Sequence, residues 1–338
     1  MPSLKLLSSI LLLSLLSACG DQSNSQTFQL SGHTMGTTYN ITVVGKNTLE
    51  PTLIAIILEN IENTMSSYRT DSELMQFNGA PINTWINTSQ PLYEILQLSN
   101  ELSQLSNGAF DITVAPLVNL WGFGPDKSNF GSPPSEEDIN ATIQNVGYQN
   151  LVFAEDGMTV LKIKMINLDL SAIAKGYAVD EIAALLENNN ILDYLVEIGG
   201  EISSKGRNAQ GEPWRIAIEK PDRSGIIQNS IRTIEISGQS VASSGGYRNY
   251  YEVNGIYYSH TIDPRNGKPV NHGLASVTVL ADSAALADAL ATAFNVMGVE
   301  QATLIANDNN IPAYFLSKTA DGYSESYSRA FTFFINQN

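Results

Sequence analysis

Between Asp282 and Thr292 the chain reads Asp-Ser-Ala-Ala-Leu-Ala-Asp-Ala-Leu-Ala-Thr, a helix with little side-chain bulk. Asp288 and Thr292 stand at i and i+4, so a helix puts both on one face, a turn apart. Ala284, Ala285, Ala289 and Ala291 leave room for another backbone to come close. A carboxylate and a hydroxyl so arranged suit a hard cation such as Mg²⁺, which takes one or two protein oxygens and completes its shell with water and phosphates. The plainer alternative, a polar stripe facing solvent, is also open.

The N-terminus sets an address. Lys5 precedes an apolar run from Leu6 to Leu16, and Leu16-Ser17-Ala18-Cys19 follows. These are the basic, hydrophobic and small-residue zones of a secretory leader, and the run is shorter than the twenty or so residues of a membrane span. The small-residue zone ends on the chain's only cysteine, as in the lipobox of bacterial lipoproteins. The expected organisation is a leader over 1–18, lipidated Cys19 with a tether over 19–26, and the functional domain over 27–338. Acyl chains on Cys19 would anchor the protein at the membrane, on the periplasmic side of the bacterial inner membrane. Gly20 and Asp21 do not form a clean retention signal, so sorting to the outer membrane stays open. No disulfide is possible.

With 34 Asp and Glu against 18 Lys and Arg, the formal net charge is −16. Nucleic-acid binding rests on neutralising phosphates with basic side chains, so no nucleic-acid partner is expected. A phosphate-bearing ligand would need local cations, a metal ion and backbone amides. At 43% hydrophobic and 15% charged residues the chain can bury a large core.

Helical and strand patterns alternate without repeats. Leu53, Ile57, Ile61 and Met65 mark one amphipathic helix, and Ser89 with Pro91 opens another toward Leu105. Ser135-Glu136-Glu137-Asp138 resembles a capping box ahead of Ile139, with Gly147 as the stop. Strands are expected at 159–163, 167–170, 194–198, 215–219, 233–236, 276–280 and 331–335. Clustered strands favour an α+β fold over a doubly wound sheet.

Polar and glycine-rich segments fall between these elements. Asp169 to Asp180 passes from a strand into a helix, with Lys175 in the first helical turns. A lysine there opposes the helix dipole unless an anion sits nearby; a solvent-facing Lys175 is the alternative. Gly199-Gly200-Glu201 and Ser243 to Arg248 offer backbone that can approach a ligand, or plain turns. Leu120-Trp121-Gly122-Phe123-Gly124-Pro125 could stack on a planar ring or pack a core. The only histidines are His33, His260 and His272, with no zinc-binding spacing; Walker and dinucleotide fingerprints are absent too. His260 ends a strand-like run, a place for a general base or for a hydrogen-bonded structural imidazole.

These segments, with Gly32 to Tyr39, Met65 to Tyr68 and Gly108 to Leu117, resemble one family in order along nearly all of the mature chain: the ApbE-type FAD:protein FMN transferases, formerly grouped as thiamine-biosynthesis lipoproteins. The resemblance implies a T-fold-like α+β architecture, with mixed or antiparallel sheets flanked by helices, that binds FAD with Mg²⁺ at its diphosphate. It implies metal ligation by the side chains of Asp288 and Thr292 and the carbonyl of Ala172. It implies a flavin nucleotide lined by Met35, Tyr68, Gly108, Ala109, Phe110, Asp111, Asp169, Lys175 and Ile262. Lys175 and His260 are the candidate catalytic residues, neutralising phosphate charge and accepting the acceptor's hydroxyl proton.

The family's reaction would attach FMN by a phosphoester to a Thr or Ser of an acceptor protein and release AMP. Family acceptors carry Asp-x-x-[Ser/Thr]-Gly-Ala-[Thr/Ser], typically in subunits of Na⁺-translocating quinone or ferredoxin oxidoreductases. This chain lacks the motif: Gly79-Ala80 and Gly108-Ala109 each follow an asparagine. Two alternatives remain, a Mg²⁺-dependent FAD pyrophosphatase and a non-catalytic flavin-carrying lipoprotein.

Overall fold

The computed structural model describes residues 26–45, 49–155, 157–221, 230–247 and 249–335. Cys19, the leader and the tether up to residue 25 lie outside the described residues, as does Arg248. Among the described residues no helix is long and apolar enough to cross a membrane.

Eight strands form the main sheet: β1 (Thr27–Thr34), β2 (Thr37–Val44), β3 (Tyr194–Ile198), β4 (Glu201–Lys205), β5 (Ser240–Ser244), β6 (Leu274–Ala281), β7 (Ala313–Thr319) and β8 (Gly322–Tyr327). Their order across the sheet is their order along the chain, and every neighbouring pair is antiparallel. The sheet is therefore a meander whose connections carry the remaining elements. β6 is buried along nearly its whole length, as a central strand covered on both sides must be.

Alternating side chains divide the core in two. Ala242, Val277 and Val279 face the larger cluster, under α1 (Pro51–Met65), α2 (Gln90–Leu105), α3 (Ala174–Asn188) and α4 (Ala284–Met297). Val241, Leu280, Tyr314 and Leu316 face the other way, toward the ribbon Trp214–Glu219/Ser230–Ile236 and the C-terminal aromatics Phe331 and Phe334. A third cluster, with Leu117, Trp121, Phe123, Tyr251 and Ile262, lies under the connections. The α+β class expected from the sequence is the class observed.

Helices α1 and α2 span the anticipated segments, α2 with Ser89 as its N-cap accepting from the Leu92 amide. Two anticipated strands differ. Over 167–170 there is one parallel bridge, Asn167 to Val114, although Ile166, Leu168 and Leu170 are buried in the expected alternation. The Asn78 side chain stands in for a strand partner: its Oδ1 accepts from the Leu168 amide at 2.7 Å and its Nδ2 donates to the Leu168 carbonyl at 3.0 Å. Over 331–335 the chain is helical, Thr332–Ile335 following a 3₁₀ turn. Phe331 and Phe334, three residues apart, reach the same core, a helical spacing that their strand-prone composition masked.

α3 and α4 meet at backbone distance. A Cβ on Gly176 would lie 2.3 Å from the Ala284 carbonyl oxygen, closer than real Cβ atoms approach backbone. Asp180, one turn along α3, accepts from the amides of Ala284 at 2.7 Å and Ala285 at 2.9 Å. It thereby satisfies orphan donors of the first turn of α4, beside the N-cap Ser283. Burial pushes the Asp180 carboxyl up to about 6, while these two amides pull it back. The alanine pattern of α4 thus admits a backbone, as its sequence allows. Gly176→Ala is expected to force the helices apart and cost about 1–3 kcal/mol, measurable by denaturant unfolding.

Candidate functional site

A cleft of about 370 Å³ opens where α3 begins, at the β3–β4 turn and the end of β5, against the middle of α4. Of the residues anticipated from sequence, Tyr68, Ala109, Phe110, Asp111, Asp169, Ala172, Lys175, His260, Ile262, Asp288 and Thr292 line it. Two stand apart from its wall. Met35 sits in the β1–β2 turn with φ +50°, its amide donating to Glu62 Oε1 at 2.9 Å. Gly108, at φ +76°, lies against the side chains of Tyr148 and Arg265.

The electrostatic centre is Lys175. As the second residue of α3 it opposes the helix dipole, and the protein supplies the anions itself. Its Nζ lies 3.4 Å from Glu201 Oε1 and 3.5 Å from Asp288 Oδ2. Asp288 Oδ2 also accepts from the Gly176 amide at 3.4 Å. Burial alone would lower the Lys175 pKa, but Asp288 and then Glu201 outweigh it and hold the ammonium charged well above its ordinary value. Burial pushes the Glu201 carboxyl up, with the Lys175 charge pulling it back. Asp288 is 5% exposed, which removes the solvated-stripe alternative.

Gly199 and Gly200 form the two-residue β3–β4 turn with φ +62° and +105°, a hairpin conformation that glycine adopts readily. A Cβ on Gly199 would lie 2.8 Å from the Thr37 methyl, so the turn packs bare backbone against β2. The turn reading of this pair holds.

His260 is fixed by its other nitrogen. Nδ1 lies 3.0 Å from the Asn249 carbonyl oxygen, an acceptor only, so Nδ1 carries the proton and Nε2 keeps a lone pair. Burial lowers its pKa; the Asn249 carbonyl opposes the shift and the Lys175 charge adds to it. The ring sits edge-on to Phe123. A run of stacked rings, Trp121 on Tyr258, Tyr258 on Tyr251 and Tyr251 on Phe123, backs this region. Trp121 itself is buried, its Nε1 donating to the Gly267 carbonyl. Of the aromatic pair in that segment, Phe123 reaches the cleft and Trp121 packs the core.

Other carboxylates are held locally. Asp111 accepts from the Thr113 amide and hydroxyl and from the Tyr148 amide. Burial raises its pKa against those bonds. Asp169 accepts from the amide and hydroxyl of Ser171, shaping the approach to Ala172. Tyr68 is 62% exposed at the rim; burial of its hydroxyl, then the Asp169 charge, raises its pKa.

The donors around Asp288 fit a hard cation. Asp288, Thr292 and Ala172 line the same cleft and carry a carboxylate, a hydroxyl and a backbone carbonyl, all oxygen donors of the kind Mg²⁺ prefers. No cluster of three or more His, Cys, Asp or Glu suited to a metal occurs among the described residues. Glu201 Oε2 is buried with no hydrogen-bond partner. Glu201 escaped sequence reading as a site residue because the glycine pair before it drew attention to the turn. Its inward register on β4, opposite Ile198, becomes meaningful only once the sheet is known. Ser243, Ser244 and Asn249 also line the cleft.

Fold and cleft define an α+β protein with a lysine, two buried carboxylates and a base-competent imidazole converging between two helices and the end of a meander sheet. The chain belongs to the ApbE family, whose model matches residues 35–315. A FAD:protein FMN transferase of Vibrio cholerae is 42% identical over 97% of this chain and 98% of that protein. One of Haemophilus influenzae is 39% identical over 97% of each. Among solved structures, the flavin transferase ApbE from Vibrio cholerae superposes with a TM-score of 0.84 at 42% identity, covering 92% of this chain and 99% of that one. The ApbE protein of Thermotoga maritima gives 0.80 at 30% identity, covering 91% and 99%.

Proposed function

We propose that this chain is an FAD:protein FMN transferase that attaches FMN through a phosphoester to a Thr or Ser of an acceptor protein and releases AMP. The observation that carries this reading is the convergence of Lys175, Asp288 and the proton-accepting Nε2 side of His260 in one cleft of a chain matched end to end by relatives of that name. Asp288, Thr292 and the Ala172 carbonyl would hold Mg²⁺. A Mg²⁺ ion bound there supplies neutralisation of diphosphate charge, a contribution of several kcal/mol at a developing oxyanion.

The chain's own residues do the rest. Lys175 places a permanent positive charge against phosphate oxygens. The Nε2 lone pair of His260 accepts the proton of the attacking hydroxyl as its oxygen bonds the FMN-side phosphorus and the bond to AMP breaks. Tyr68, Ala109, Phe110 and Ile262 enclose the nucleotide and exclude water. The acceptor is a separate protein carrying Asp-x-x-[Ser/Thr]-Gly-Ala-[Thr/Ser]. The leader and Cys19 support a lipid-anchored location facing the periplasm, where such acceptor domains would be met.

Purified protein mixed with FAD, Mg²⁺ and a motif-bearing acceptor domain is expected to give an FMN adduct on the motif hydroxyl, read by mass spectrometry. AMP release with no adduct would instead establish a hydrolase, and neither product would leave a flavin carrier.

The pH dependence follows from His260. Neutral imidazole is the competent base, and its folded pKa lies below the ordinary 6.5. The base form therefore persists down through the range where free imidazole protonates, and transfer is lost only below it. A profile of kcat/KM against pH should place the acid limb under 6.5; a midpoint at or above that value would remove His260 from the role.

A further inference from the structure

Lys175 is shared between two carboxylates and the Ser171 carbonyl, to which it donates at 3.3 Å, and closes tightly on none. Its contacts of 3.4 Å to Glu201 and 3.5 Å to Asp288 are at the outer limit of hydrogen bonding. Glu201 is 4% exposed and its second oxygen, Oε2, is buried without a partner. A buried carboxylate with one empty acceptor site beside a loosely held ammonium is an unfinished ion pair. The ammonium can complete it by moving toward Glu201.

Asp288 cannot serve Lys175 and a divalent cation equally, because the two positive charges would crowd one carboxylate. We propose that Glu201 is the counter-ion that draws Lys175 off Asp288 when a divalent cation enters the cleft, and so sets cation affinity without ligating the cation. This rests on Asp288 and Thr292 being the cation's side-chain ligands. Glu201 is thus a positioning residue: it acts through Lys175, releasing Asp288 while keeping the ammonium charged inside the cleft. Without the Glu201 charge, Lys175 would fall wholly on Asp288 and compete with the cation.

The test is Mn²⁺ binding to the whole protein, free of nucleotide, followed by electron paramagnetic resonance as a double-mutant cycle. A purely through-space effect of the Glu201 charge, or direct ligation by Glu201, weakens Mn²⁺ by the same factor whether or not Lys175 is present. Repositioning of Lys175 makes the factors unequal. Glu201→Gln is expected to weaken Mn²⁺ about tenfold more in the Lys175 chain than in the Lys175→Met chain. Equal factors, or unchanged affinity in Glu201→Gln, overturn the proposal. If circular dichroism shows Glu201→Gln unfolded, Glu201→Asp runs the same cycle. It keeps the charge but withdraws it by about 1.5 Å, and its expected coupling is about threefold; a coupling of one overturns the proposal as surely. An Asp288→Ala chain that binds Mn²⁺ as well as the parent would instead sink the assignment of Asp288 as a ligand.

Discussion

Asp288→Ala is expected to lower FMN transfer by about a thousandfold or more while the protein stays folded. The carboxylate is buried between α3 and α4, where it accepts from Lys175 and from the Gly176 amide. Alanine removes the proposed cation's only charged side-chain ligand and leaves Lys175 paired to Glu201 alone. The cavity is small and the neighbours are largely alanine, so the thermal midpoint should move by only a few degrees. Transfer and any FAD hydrolysis should fall together, because the same phosphate oxygens need neutralising whether the nucleophile is a hydroxyl or water. Assays at rising Mg²⁺, with AMP and adduct counted separately, check this; turnover within tenfold of the parent would refute the metal assignment.

His260→Ala should slow transfer by about 10²–10⁴-fold, the usual contribution of a positioned general base, with FAD affinity within about twofold of the parent. The imidazole is tied through Nδ1 to the Asn249 carbonyl and faces Phe123 edge-on, so its loss leaves the opposite wall intact. Single-turnover adduct formation at saturating FAD, beside a flavin fluorescence titration, separates the two quantities. Equal loss of binding and rate would make His260 a nucleotide contact rather than a base, and an unchanged rate would remove it from the chemistry.

What the amino-acid order revealed depended on whether a residue's meaning is local. The α4 segment was legible because i, i+4 spacing and small neighbours are properties of one helix. The conflict at Lys175 was visible as a cation at the wrong helix end, but its resolution lay 26 and 113 residues away in Glu201 and Asp288. Glu201 could not be singled out, since an acid after two glycines reads as a turn until the register of β3 and β4 turns it inward. The first two strands were read as a motif, Gly32 to Tyr39, and not as a hairpin, because their Thr, Gln and Asn residues suit an edge that solvent wets. At 331–335 aromatic content spoke for a strand, and the spacing of two buried phenylalanines decided for a helix. Met35, placed at the nucleotide by resemblance, is held in the β1–β2 turn by Glu62.

The meander brings a further consequence, for biosynthesis. Strands join in the order they are made, yet Lys175 waits for α4, which docks on Gly176 and is capped by Asp180. A nascent chain that has passed His260 but not residue 284 has the lysine and the base without the acid and alcohol opposite them. Catalytic competence is thus withheld until residues 284–297 have emerged, so products truncated or stalled before them should be inert toward nucleotide.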